Sequence, residues 1–548
     1  MKHLPATRVN LGTLGAICCL AAWVYADNVP RQPNQTAPTE PYWQLFLDDH
    51  IITRSTGFER VVHHPRPHGV VLKTEKPWET FGATPWYVGR RKEGGYECYY
   101  QALWHEPGMR VVSHMAYAIS EDGIHWEKPV LNLVDGPTQT GRQKGLPLGV
   151  SLGSGDKNDE YSKANNILPI GHPRDLLLHG NVRDPDKRFA LGLNFGIPQR
   201  IAFCRELPDF VNDPNWQEKL VDSGGFVHSH YTTLEYWDDL NDEWVVMRQS
   251  PNHPPTRVSG RYASPDMVHW KLDHHFYPDA HDSTDPRYFD EVYGNMGVHL
   301  EGIVFGFVDW FVGDESHEAT NNDRGIIGSD TAKGTQEVRI ATSRDGGKTW
   351  DRSTSREPWI PHGSEQDSYD RLVRLDCPPL RMGDEDWFYA TATNCDHASR
   401  AGVPRDRIGL VQGALYTQKH NRYVSLTAGN RVRILITKPI EVTGDTLQLN
   451  VDASSGEVKV AVGIDRWMKH KNGAWTFEAN LPHWLVEDRW GRQHLEKGFH
   501  FDDCEAVHVN SIEHDVQFKE ASFESLRGKT VRLFIAVQTA DLYGFRFK

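Results

Sequence analysis

A short turn recurs along this chain, and the recurrence limits what the chain can fold into. The fullest copy is Ser343-Arg344-Asp345-Gly346-Gly347-Lys348-Thr349-Trp350. Asp345 can fold its carboxylate back onto backbone N–H groups, the glycines accept positive φ, and Trp350 restarts the chain against a neighbour. Related turns follow Met115–Ser120, as Glu121-Asp122-Gly123-Ile124-His125-Trp126, and Arg261–Ser264, as Pro265-Asp266-Met267-Val268-His269-Trp270. A weaker copy surrounds Asp209 and Trp216, and a degenerate one surrounds Asn421. The five anchors stand 57–87 residues apart, which suits sheet units with elaborated loops rather than a solenoid.

Each turn is preceded by β-branched and aromatic runs. The second strands are read at Tyr96–Trp104, Phe189–Phe195, Glu243–Arg248, Ile303–Phe311 and Trp387–Thr393. The first strands are read at Thr84–Gly89, Leu176–Val182, Tyr231–Trp237, Tyr293–Leu300 and Leu372–Leu375. Five units of strand–strand–strand–turn–strand predict an all-β fold, a five-bladed β-propeller over residues 43–428. After residue 428 the turn disappears. Short alternating strands at Arg431–Thr437, Thr446–Val451, Glu457–Val462, Ala506–Val509 and Val531–Val537 predict a C-terminal β-sandwich over residues 429–548.

The remaining composition narrows function. A net charge of −14 over 548 residues, without long charge runs, excludes a nucleic-acid surface. Lys2 and Arg8, the apolar Leu11–Ala22 and the site Val24-Tyr25-Ala26 make residues 1–26 a signal peptide, with an uncleaved anchor as the alternative. Residues 27–42 read as a flexible leader. The expected location is therefore secreted or periplasmic, without stable membrane association after cleavage. Two of seven cysteines fall in the signal, and the other five show no metal-ligand spacing.

The start Leu45-Phe46-Leu47-Asp48-Asp49, the turns at Ser120–Trp126 and Ser343–Gly346, and the tail Asp541-Leu542-Tyr543-Gly544-Phe545 together resemble exported bacterial proteins related to glycoside hydrolase families 32 and 43. The turn also resembles the Asp-box of sialidases. The resemblance implies a five-bladed propeller, with the C-terminal sandwich of the family 32 type, and activity on carbohydrate. The early Trp-x-Asn-Asp-Pro-Asn signature of family 32 is absent from this sequence.

In a propeller the innermost strands line the axis, and their entrances lie on the face opposite the Asp turns. Glycoside hydrolysis needs two carboxyl groups across the scissile bond. The expected catalytic residues are Glu291, as acid, and Asp367, as its partner. Asp48 and Asp49 are further candidates, because the related families place a base or nucleophile near the N-terminus. Substrate-binding candidates are His228 and His230, which share one strand face, then Tyr293, Arg371, Arg374, Glu79, Trp86 and Trp104. No metal ligands and no cofactor are predicted, although a structural metal ion near the axis is left open. The expected activity is that of a glycosidase cleaving a polysaccharide or oligosaccharide, with a non-catalytic, lectin-like propeller as the alternative.

Overall fold

Alternating β-branched and aromatic residues bury one or both faces of a pleated strand, and most of this chain is written that way. A computed structural model describes residues 42–55, 57–105, 111–137, 161–170, 176–178, 189–193, 199–223, 232–250, 257–285, 288–313, 334–353, 356–365, 368–394, 397, 411–464, 468–469, 475–476 and 495–548. The expected signal, nearly all of the leader, and His228, His230 and Asp367 lie outside the described residues.

The described residues are all-β but for one six-residue helix, Leu207–Asn212, and short 3-10 turns. The strands form sequential antiparallel meanders. The first is Gly82–Arg90, Tyr96–His105 and Val111–Ser120. The second is Leu176–Leu178, Phe189–Leu193, Gln199–Cys204 and Val221–Ser223. The third is Thr232–Asp238, Glu243–Ser250, Val258–Ser264 and Lys271–Phe276. The fourth is Tyr288–Leu300, Ile303–Gly313 and Gly334–Ser343. The fifth is Leu372–Arg374, Glu385–Thr393 and Val411–Lys419, and its outer strand is Arg66–Leu72, from the start of the chain.

Each meander packs on the next. Phe189 meets Tyr87 and Tyr99, both at 5.3 Å between ring centroids. Leu176–Leu178 lies against Thr232–Asp238. Val304 packs with Tyr236, Val245 and Met247, and Phe307 meets Phe388 at 5.5 Å. Tyr389 then contacts Trp126 at 6.0 Å, so the fifth meander returns to the first. This cyclic order of antiparallel meanders is a β-propeller. It is sealed by the outer strand that the N-terminal segment supplies to the last meander, which leaves no open edge there.

Two further sheets share one apolar core. One orders Glu59–Val62, Val424–Ala428, Ala540–Phe547, Leu447–Asp452 and Asn510–Asp515, with Gln44–Leu45 also on Ala540–Phe547. The other joins Ile52–Ser55, Arg433–Thr437, Thr530–Gln538, Ile440–Glu441 and Glu457–Ile464. Leu447, Leu449 and Val451 from the first sheet meet Val458, Val460, Val462, Val531, Leu533 and Ile535 from the second. Alternation puts these side chains on the inner faces, as in a β-sandwich. The sheets do not respect the expected boundaries at 43 and 429: three N-terminal strands and Val424–Ala428 belong to them, and Tyr42–Lys548 is one compact unit.

Three of the recurring turns share one hydrogen-bond pattern. Asp122 accepts from the Ile124 and His125 amides at 2.9 and 2.8 Å. Asp266 accepts from Val268 and His269 at the same distances. Asp345 accepts from Lys348 and Thr349 at 3.1 and 2.9 Å. Burial pushes the Asp266 and Asp345 carboxyls up, yet donors within the turns hold all three below the usual range: the backbone and side chain of His125 at Asp122, those of His269 at Asp266, and the Thr349 hydroxyl and amide at Asp345. The weak copy at Asp209 falls instead inside the short helix, where Pro208 fits the first turn.

Candidate active site

Strand register fixes which end of the fourth meander is which. Val304 pairs with Ser343 at the turn end, whereas Asp290 pairs with Val312 and Gly313 with Gly334 at the other. Glu291 therefore sits at the end opposite Asp345.

Glu291 is fully buried. Its Oε1 accepts from the Arg257 amide at 3.1 Å and its Oε2 from Arg257 Nη1 at 2.5 Å. The guanidinium also lies 4.8 Å from the Tyr293 ring centroid and 5.4 Å from that of Phe311. The Tyr293 hydroxyl is 3.1 Å from His397 Nε2. His397 is carried on the loop after Thr393, and its amide donates to the Gly334 carbonyl at 2.8 Å. Three meanders thus contribute: Arg257 from the third, Glu291 and Tyr293 from the fourth, and His397 from the fifth. A carboxylate whose two oxygens both accept from one arginine is fixed in orientation.

A second carboxyl lies two pairs deeper on the same strand pair. A bulge between Val292 and Gly294 puts Gly294 opposite Asp309. A Cβ on Gly294 would approach Asp309 Oδ2 to 2.9 Å, so a larger residue there would force this carboxyl to shift. Asp309 is enclosed, and its Oδ1 accepts from the Leu375 amide at 3.0 Å. Burial, and then the neighbouring Asp376, push its carboxyl well above the usual range. Asp376 itself accepts from Arg374 Nε and Thr391 Oγ1, each at 2.8 Å.

The other predicted residues are placed elsewhere. Asp48 accepts from Arg344 Nε and Nη2, both at 2.9 Å. Arg344 belongs to the fourth turn, about ten strand residues or ~30 Å along the sheet from Glu291. Asp49 is exposed and pairs with Arg60 at 2.9 Å. These two are clasps at the turn end and are set aside as partners for Glu291.

Glu79 is buried in a 3-10 turn, where Tyr100, Lys128 and the amides of Glu75 and Lys76 all donate to it. Its acceptor capacity serves that turn rather than a ligand. Trp86 and Trp104 are 5% and 3% exposed, so neither offers a stacking face; Trp104 lies instead on His114 at 5.0 Å. Arg371 donates to the Gly363 carbonyl at 2.6 Å. Arg374 is taken by Asp376.

Arg257, His397 and Asp309 were not singled out from sequence. Asp309 carried a readable signal, an acid within the apolar run Val308-Asp309-Trp310. Arg257 carried none, because its partner is 34 residues away. No group of three or more His, Cys, Asp and Glu side chains among the described residues could hold a metal ion.

No protein-family profile and no curated protein sequence matches this chain. Solved structures that resemble it include a fructofuranosidase from Schwanniomyces occidentalis complexed with fructosylnystose, at 12% identity and a TM-score of 0.34, covering 90% of this chain and 99% of that one. Another is a glycosyl hydrolase from Bacteroides ovatus, at 12% identity and 0.33, covering 67% and 96%. A third is the β-1,2-mannobiose phosphorylase from Listeria innocua, at 10% identity and 0.32, covering 69% and 96%. Scores of this size carry no weight for activity, and the fold rests on the strand pairings above.

Proposed function

We propose that this protein is an exported carbohydrate-active enzyme of glycosidase type, acting on a polysaccharide or oligosaccharide at the inner-strand entrances of a five-bladed propeller. The observation that carries the reading is Glu291, a fully buried carboxylate held by Arg257 at the end away from the Asp turns. Preorganisation of this kind favours an acceptor role. Glu291 serves as base or nucleophile, oriented by Arg257. Asp367 supplies the proton to the leaving oxygen. Tyr293, tied to His397, directs a hydroxyl toward the sugar. Hydrolysis through this pair requires the two carboxyls about 5–10 Å apart. Export rests on the basic start and apolar stretch of residues 1–26, and no helix among the described residues is long and apolar enough to cross a membrane.

The test is a screen of Glu291→Gln and Asp367→Asn on an oligosaccharide panel. Loss of turnover of about 100-fold or more in both, with folding intact, is the expected result. Unchanged turnover in both removes the assignment. A wild type that binds but never cleaves returns the lectin-like alternative.

A further inference from the structure

The turn end carries a recess that the proposed reaction does not use. It holds about 440 Å³ and lies between the outer strand of the fifth meander and the turn of the first. One wall is His68, Val70, Val71 and Leu72, and the other runs from Ile119 to Lys128. The volume falls in the range of small-molecule sites, about 300–1,000 Å³. Its lining is mixed, with aliphatic side chains, the half-buried Trp126 and several polar groups. His68 is exposed and lies on the half-buried Trp387, with ring centroids 6.3 Å apart and planes 22° apart. Trp126 is held edge-on by Tyr389. Two rings of the lining, His68 and Trp126, are thus each packed against a further ring outside it.

Charge narrows the ligand. Glu75, Glu121, Asp122 and Glu127 line the recess. Lys128 is tied to Glu79 and to the Lys73 carbonyl, and His125 to Asp122 at 2.7 Å. Lys73 is the remaining lysine in the lining. An acidic rim disfavours uronate or sulfated sugars. Aromatic faces with carboxylate acceptors suit the C–H faces and hydroxyls of neutral sugars.

We propose that this recess is a second carbohydrate site, taking a short segment of a neutral saccharide chain on the face opposite Glu291. The proposal rests on the carbohydrate reading above. It places a holding site away from the cleaving site, so that one chain can be retained while another segment reaches the axis.

The test is affinity electrophoresis in gels containing hydroxyethylcellulose, arabinoxylan, galactomannan or laminarin, with polygalacturonate as the charged control. Four proteins are compared: wild type, Glu291→Gln, His68→Ala and Trp126→Ala. His68 is exposed, so its variant folds even if Trp126→Ala does not. The expected result is retardation of wild type and Glu291→Gln by at least one neutral polymer, with apparent affinity at least fivefold weaker in His68→Ala. Equal retardation of wild type and His68→Ala overturns the proposal, as does absence of retardation by every neutral polymer. Retardation lost in Glu291→Gln but kept in His68→Ala locates binding at the axis and also overturns it. Retardation that depends on His68, in a protein that cleaves nothing, retains the second site and rejects the glycosidase reading.

Discussion

Tyr236 donates its hydroxyl hydrogen to the Gly346 carbonyl at 3.0 Å, and so ties the third meander to the turn of the fourth. Arg261 Nε donates to the same carbonyl at 2.7 Å. The pattern repeats around the ring. Tyr389 of the fifth meander donates to the Gly123 carbonyl in the first turn at 2.8 Å. Asn421, in the fifth turn, donates to Glu301 of the fourth meander at 3.0 Å. Each of these turns is thus a bolt between neighbours as well as a local reversal.

Gly346 has φ +75°, and a Cβ there would meet Asp238 at 1.8 Å. Gly383 has φ +64° and nothing within 4 Å. Gly383→Ala is expected to cost about 1 kcal/mol from left-handed backbone alone, and Gly346→Ala at least about 3 kcal/mol, because clash adds to strain. Urea unfolding of the two variants checks the order; equal losses contradict it.

Arg261 is fully buried and pairs with Asp238 at 2.9 Å, Glu243 at 2.8 Å and Asp273 at 2.6 Å. Removing the cation leaves Asp238 buried without it. Arg261→Met is expected to lower stability by about 3–5 kcal/mol, as for other broken buried pairs. Thermal unfolding of the variant measures this, and a loss under about 1 kcal/mol would show the network to be dispensable.

Asp309 gives a pH dependence of definite sign. Its folded pKa is raised, chiefly by burial and then by Asp376. Above the unfolded value near 3.9 the unfolded chain gives up this proton while the folded one keeps it, so stability contributed here falls as pH rises through the raised value. Asp309→Asn retains an acceptor for the Leu375 amide and abolishes the titration. It is expected to flatten the profile and gain about 1–3 kcal/mol at neutral pH, with no gain below pH 4. Denaturant midpoints at several pH values test this, and a uniform shift at every pH contradicts it.

Arg257 orients Glu291 through two donors, one from the backbone and one from the guanidinium. Arg257→Lys keeps the charge and the amide but loses the planar fork. Turnover is expected to fall about 10–100-fold, equivalent to ~1.4–2.8 kcal/mol, with KM changing less. Steady-state kinetics on a cleaved oligosaccharide decide it; an unchanged kcat separates Arg257 from the chemistry.

The four described cysteines, Cys98, Cys204, Cys377 and Cys504, are all buried. Burial pushes Cys504 up to about 11, and Cys98 higher still. Ellman's reagent is expected to leave all four unmodified until the protein is denatured, and labelling of any of them in native protein contradicts their burial.

Local pattern was enough to read most strands. Alternation and turn chemistry are written within 10 or so residues, and the runs around Tyr96, Ile303, Trp387 and Val531 became strands within a few residues of their expected ends. The Asp turns were legible for the same reason, since Asp122, Asp266 and Asp345 bond to amides two to four residues away. The direction they give also follows from sequence, because a turn after the third strand must lie at the end opposite the entrance of the first.

Partnership across the chain was not legible. That Asp48 would be claimed by Arg344, that Glu291 would be claimed by Arg257, and that Asp309 would lie under Gly294 depends on register and on which meander packs beside which. So does the use of Arg66–Leu72 to close the fifth meander and of Gln44–Val62 to extend the sandwich sheets. These pairings join residues from 15 to several hundred positions apart. Sequence determined where a carboxylate could stand on a strand. Only the tertiary structure decided which cation reached it, because register and the packing of one meander beside the next set which side chains meet.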